Sequence, residues 1–103
     1  MSRKYIPLDS NFLDDPKIIK LLMSHGCEGI TVWISVLCYL RESDVSRYAK
    51  AGLADAIAYR LRLDPSCVES ILQTALLVGL LQEDDGWLYS SAFDSRADGY
   101  VYA

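Results

Sequence analysis

Apolar positions along the chain fall into blocks with helical spacing, followed by two short runs around a turn. Residues from Tyr5 to Phe12 have no period, and Pro7 opposes an early helix, so an irregular or extended arm is predicted. Asp15-Pro16 is a helix start: the aspartate can cap free amides and the proline fits the first helical position. Ile18, Ile19, Leu21 and Leu22 then form an apolar stripe, and Gly26 is expected to stop the helix in a left-handed conformation, with His25 in the last turn. A second helix is predicted from about Glu28 to Glu42. Its apolar residues run nearly all round (Ile30, Val32, Trp33, Ile34, Val36, Leu37, Cys38, Tyr39, Leu40), the pattern of a central helix covered on most sides.

Arg47 to Lys50 reads as a short polar link or brief strand. Leu53, Ala54, Ile57, Ala58 and Leu61 keep the 3.6-residue period and predict a third helix over about Gly52–Leu61. Asp64-Pro65 repeats the cap-plus-proline start. A fourth helix follows over Pro65–Val78, with Val68, Ile71, Leu72, Ala75 and Leu76 inward and Gly79 as its stop. Leu80-Leu81-Gln82-Glu83 and Trp87-Leu88-Tyr89-Ser90 flank Asp84-Asp85-Gly86, which predicts a β-hairpin. Ser90 is placed to cap a short helical turn through Phe93. The expectation is a mainly α domain with a small β-hairpin, a winged helix-turn-helix with an extra N-terminal helix and arm. Residues 1–93 form that single domain, and 94–103 form a C-terminal tail or the start of a linker.

Composition narrows the function classes. The chain has 103 residues, 51% apolar and 23% charged, an ordinary balance for one globular domain. Ten basic and 14 acidic residues leave a net charge of −4, a poor match to strong non-specific nucleic-acid binding. The cysteines Cys27, Cys38 and Cys67 form no C-x-x-C pair, and no zinc site is supported. An odd number of cysteines without a secretory signal fits reduced thiols and a cytoplasmic location. The nearly apolar stretch Ile30–Leu40 is shorter than the roughly 20 residues of a membrane helix. Only one histidine is present, Cys27 beside His25 lacks a third orienting group, and no catalytic constellation emerges. No enzyme, no metal, no cofactor and no small-molecule substrate are therefore expected.

The N-terminal motifs are the distinctive ones: Tyr5-Ile6-Pro7-Leu8-Asp9-Ser10-Asn11, Asp14-Asp15-Pro16-Lys17-Ile18, Gly26-Cys27-Glu28-Gly29, Trp33 and Leu40-Arg41-Glu42. With Gly79-Leu80-Leu81 and Ser90-Ser91-Ala92-Phe93, they resemble the N-terminal winged-helix domain of phage and bacterial replisome-organiser-like proteins, related to the primosomal DnaD type. The resemblance implies a non-catalytic module of replication initiation or helicase loading. It also implies DNA and replisome partners, a helicase loader or the helicase itself.

The residues qualify what such a module can do. The face of the Pro65–Val78 helix that would enter a DNA groove carries Ser66, Glu69, Ser70, Gln73 and Thr74. No Lys or Arg lies between Leu63 and Ser95. The hairpin carries Glu83, Asp84 and Asp85, which would repel phosphate. The cations gather instead in Arg41, Arg47, Lys50, Arg60 and Arg62, against Glu42, Asp44 and Asp55, with Tyr48 and Tyr59 interleaved. Candidate nucleic-acid contacts are Arg47, Lys50, Tyr59, Arg60 and Arg62, with Gln73 as the one groove reader. Candidate interface residues are Tyr5, Ile6 and Phe12 of the arm, and Trp33 and Tyr39 of the Glu28–Glu42 helix. The reading is self-association as a homo-oligomer, or partner binding, with weak DNA contact and no membrane. The alternative is a winged-helix transcription regulator that reads DNA sequence.

Overall fold

Local chemistry at the helix ends sets the frame. The computed structural model describes residues 4–43 and 45–94; the expected tail from residue 95 onward lies outside them. After the arm, a single 3-10 turn, Phe12–Asp14, leads into helix α1, Pro16–Glu42. The Asp15 carboxylate accepts from the Lys17 amide at 2.8 Å, capping the start as its sequence demands. Gly26, with φ 65 and ψ −154, is non-helical and divides α1 into two helices at a kink, as the sequence predicts. By length and composition alone α1 is apolar enough to cross a membrane. The kink interrupts it, however, and Leu21, Val32, Val36 and Leu40 are buried within the protein core.

Strand β1, Tyr48–Ala49, precedes helix α2, Leu53–Leu61, and helix α3, Pro65–Val78. Asp64 caps α3 through the Ser66 amide at 2.9 Å, and Gly79 ends it with φ 87. Strands β2, Gln82–Asp84, and β3, Trp87–Tyr89, make the predicted hairpin. Asp85 and Gly86 both take positive φ, as a two-residue hairpin turn requires. The sheet order is β1-β3-β2, antiparallel throughout. The fold is thus mainly helical with a small three-stranded antiparallel sheet.

The link at 47–50 adds the strand that the hairpin pattern alone does not contain. Tyr48 pairs with Leu88 and Ala49 with Trp87, while Glu83 pairs with Leu88 from the other side. Leu88 therefore sits in the middle of the sheet with its side chain buried in the core. Leu21, Leu40, Leu53, Ile57, Ile71 and Leu81 complete that core. Each such side chain contributes on the order of 1.5–3 kcal/mol by leaving water. Ser90 is buried, and its Oγ accepts from the Phe93 amide at 3.3 Å, closing a helical turn at 91–94.

Helices α1 and α3 run antiparallel. Lys17 Nζ lies 3.5 Å from the Gly79 carbonyl, His25 Nε2 lies 2.8 Å from Thr74 Oγ1, and Cys67 Sγ lies 3.2 Å from Glu28 Oε2. The Thr74 hydroxyl donates its one proton to the Ser70 carbonyl at 3.2 Å, so it accepts from His25. One expectation is corrected along this seam. Of the apolar stripe at the start of α1, Ile18 and Leu21 are buried but Ile19 and Leu22 are exposed. Successive helical residues turn by about 100°, and only the side facing α3 finds a neighbour.

Candidate nucleic-acid and partner interfaces

The cations predicted to touch DNA divide according to the element that carries them. Lys50, just after β1, pairs with Glu83 of the hairpin at 2.9 Å. Arg47, just before β1, lies over the Tyr89 ring, 4.4 Å from guanidinium carbon to ring centroid. Alternation along the strand explains the contact: Tyr48 shares the inner face with its partner Leu88, so Arg47 falls on the outer face with Tyr89. Gln73 is exposed on α3, apart from the arginines of α2.

Arg60, Arg62 and Tyr59 do come together. With Tyr39 of α1 and Ala56 of α2 they line one open groove of about 360 Å3. Arg60 lies over Tyr39 at 5.3 Å, and Arg62 over Tyr59 at 5.9 Å. Tyr39 is held from behind by an edge-on contact with Tyr48, with centroids 5.2 Å apart, and its hydroxyl points to the Ala56 carbonyl at 3.5 Å. Tyr59 is 80% exposed. Arg62 takes the left-handed conformation, φ 61, at the end of α2, which turns the chain into α3.

Neither Arg60 nor Arg62 has a carboxylate partner among the described residues. The nearest acid in sequence, Asp64, is turned toward Ser66 through Oδ1. Its carboxylate accepts from the Ser66 hydroxyl and amide, and these bonds lower its pKa below the ordinary 3.8. A guanidinium stacked on a ring keeps its N–H edge free for an anion.

The surface of α3 and the hairpin has the opposite character. Exposed α3 presents Ser66, Glu69, Ser70, Gln73 and Leu77, and the exposed hairpin end presents Glu83, Asp84 and Asp85. Cys67, between them and α1, is held as a thiol: its hydrogen bond to the Glu28 carboxylate raises its pKa, with desolvation adding to the effect. Among the described residues no three His, Cys, Asp or Glu side chains are grouped to hold a metal ion.

The residues expected at a subunit interface also divide. Trp33 is only 5% exposed and belongs to the core. Together with Pro7, Phe12 and Leu37 it lines the cavity of about 350 Å3 between the arm and α1, and little of its surface is left for a subunit contact. Ile6 and Phe12 pack against the same core, and Tyr39 forms the floor of the arginine groove. Of the three arm residues expected at an interface, Tyr5, 63% exposed, is the one left at the surface.

Other apolar side chains are exposed instead. Met23 on α1 is 81% exposed and Leu77 on α3 is 85% exposed. Leu22 lies one turn before His25, and Leu77 lies one turn after Thr74. Because the helices are antiparallel and His25 meets Thr74, Leu22 and Leu77 flank the same stretch of the seam. Ile19 and Met23 continue the α1 side of this surface. A signal for Leu77 is present in the sequence, since it falls on the helical face set by Ser66, Ser70 and Gln73 and is the one apolar residue there.

No curated protein and no solved structure matches the chain. The model of the family described as Lin1244/Lin1753-like, N-terminal, matches residues 5–93, from the arm to the turn that follows the sheet. The chain belongs to the Lin1244/Lin1753-like N-terminal domain family.

Proposed function

We propose that this domain is a non-catalytic winged-helix module of a cytoplasmic replication-initiation protein of the replisome-organiser type. It holds a second copy of itself or a replisome protein, a helicase or its loader, and touches DNA weakly. The winged-helix reading is supported by the sequence of α2, turn, α3 and antiparallel hairpin, with β1 completing the sheet beside β3. The replication reading rests on the resemblance of the N-terminal motifs.

The observation that carries the division of labour is the charge on the docking surfaces. A winged helix that reads duplex DNA needs cations on its second helix or wing to displace counterions. Here α3 offers Glu69 and uncharged side chains, and the hairpin end offers Asp84 and Asp85, with Glu83 paired to Lys50. Leu77 and Met23, by contrast, leave apolar surface beside the α1–α3 seam, the kind of surface that partner binding covers. Contact with DNA falls to phosphates at Arg60 and Arg62.

Anisotropy titrations with labelled duplexes of unrelated sequence test this reading. The expected result is weak binding, indifferent to sequence and erased between low and physiological salt. Tight binding that prefers one sequence at physiological salt would establish the regulator reading instead.

A further inference from the structure

We infer that the groove formed by Tyr39, Ala56, Tyr59, Arg60 and Arg62 binds an unpaired nucleic-acid strand, with a base stacked on Tyr59 and the adjoining phosphates held by the two arginines. The inference rests on the DNA contact proposed above and assigns its strandedness and its site.

The groove combines the two parts that strand binding needs, a positive track for the backbone and an exposed ring for a base. The track is made by Arg60 and Arg62, whose guanidiniums lie on tyrosine rings rather than against carboxylates. A guanidinium placed over a ring rather than against a carboxylate keeps N–H donors for phosphate oxygens. Asp64, the nearest acid in sequence, turns Oδ1 to Ser66 and forms no ion pair with Arg62.

The exposed ring is Tyr59. At 80% exposure it adds little to the core, and the 5.9 Å contact with Arg62 covers one face at most. Tyr39 has a different role: Tyr48 meets it edge-on and Arg60 covers it, so it is a rigid floor that positions Arg60.

The geometry separates an unpaired strand from a duplex. Bases inside a duplex have both faces covered by their neighbours, and a tyrosine ring can stack only on one that is free. The groove, at about 360 Å3, is at the small end of ligand sites (about 300–1,000 Å3), the scale of one base and its phosphate rather than a double helix. A phosphorylated peptide would use the arginines but would leave the Tyr59 ring without a partner.

The test uses anisotropy with labelled oligothymidylate and with the duplex it forms with oligoadenylate, titrated across a salt series. The single strand is expected to bind more tightly. Tyr59→Ala should weaken it roughly 5- to 150-fold, the loss of one stacked base, and Tyr59→Phe should preserve it. Replacing Arg60 and Arg62 together by Ala should flatten the log–log salt slope by about 1.4, for two lost phosphate contacts. If duplex binds as well as single strand and Tyr59→Ala changes nothing, while the arginine pair still matters, the strand assignment is overturned and the phosphate contact stands. If neither probe binds at low salt, the DNA contact and the strand assignment are both overturned.

Discussion

The Lys50 ammonium lies 2.9 Å from the Glu83 carboxylate, and the Lys50 amide donates to the Gly86 carbonyl at 2.8 Å, so the end of β1 is tied to the hairpin turn. A cation that the sequence pattern assigns to a DNA-binding patch is thereby neutralised by an acid of the hairpin. The side chains are 44% and 36% exposed, and water screens the pair. Lys50→Ala is expected to change stability by no more than about 1 kcal/mol in urea unfolding. It should leave the salt slope of oligonucleotide binding unchanged, since Lys50 already has a counterion. A slope reduced as much as by Arg60→Ala would place Lys50 on the DNA surface after all.

Gly26 controls the kink in α1. Its φ of 65 and ψ of −154 lie in a region that only glycine occupies readily. A Cβ placed there meets nothing within 4 Å, so the whole effect of a substitution is in the backbone. Gly26→Ala should lower the unfolding free energy by about 1–3 kcal/mol. A neutral result would mean that the two arms of α1 do not depend on this conformation.

Asp64 gives the stability a pH dependence of known sign. Its bonds to Ser66 lower the carboxyl pKa in the folded state, so the unfolded chain binds the proton more tightly. The contribution is fully present above the ordinary value of 3.8 and is lost as pH falls through the folded value. Asp64→Ala should melt lower than the parent protein at neutral pH. That difference should narrow as the solution is taken below about pH 4, where the parent loses the cap. A constant difference across that range would remove the Asp64 carboxylate as its source.

What the sequence reveals, it reveals through short-range chemistry. Asp15-Pro16, Asp64-Pro65 and Asp85-Gly86 each fix their element because the cap or turn is completed within a few residues. Pairings across the chain are less legible. The β1–β3 ladder joins Tyr48 to Leu88, and no local period announces it. The candidate site divides in the same way. A run of cations between Arg41 and Arg62 is visible in sequence, but its fate is set by distant partners: Glu83 for Lys50, Tyr89 for Arg47 and Tyr39 for Arg60. Trp33 illustrates the same limit, because an aromatic residue on an all-round apolar helix carries no mark of whether the arm or a second subunit covers it.

The account rests most on the claim that this domain works by assembly, and light scattering across a concentration series tests that directly. The predicted result is a mass above that of one chain at high concentration, brought back to one chain by Met23→Lys with Leu77→Lys while the helical circular dichroism is unchanged. A mass of one chain at every concentration, with the double variant indistinguishable from the parent, would contradict self-association through this surface.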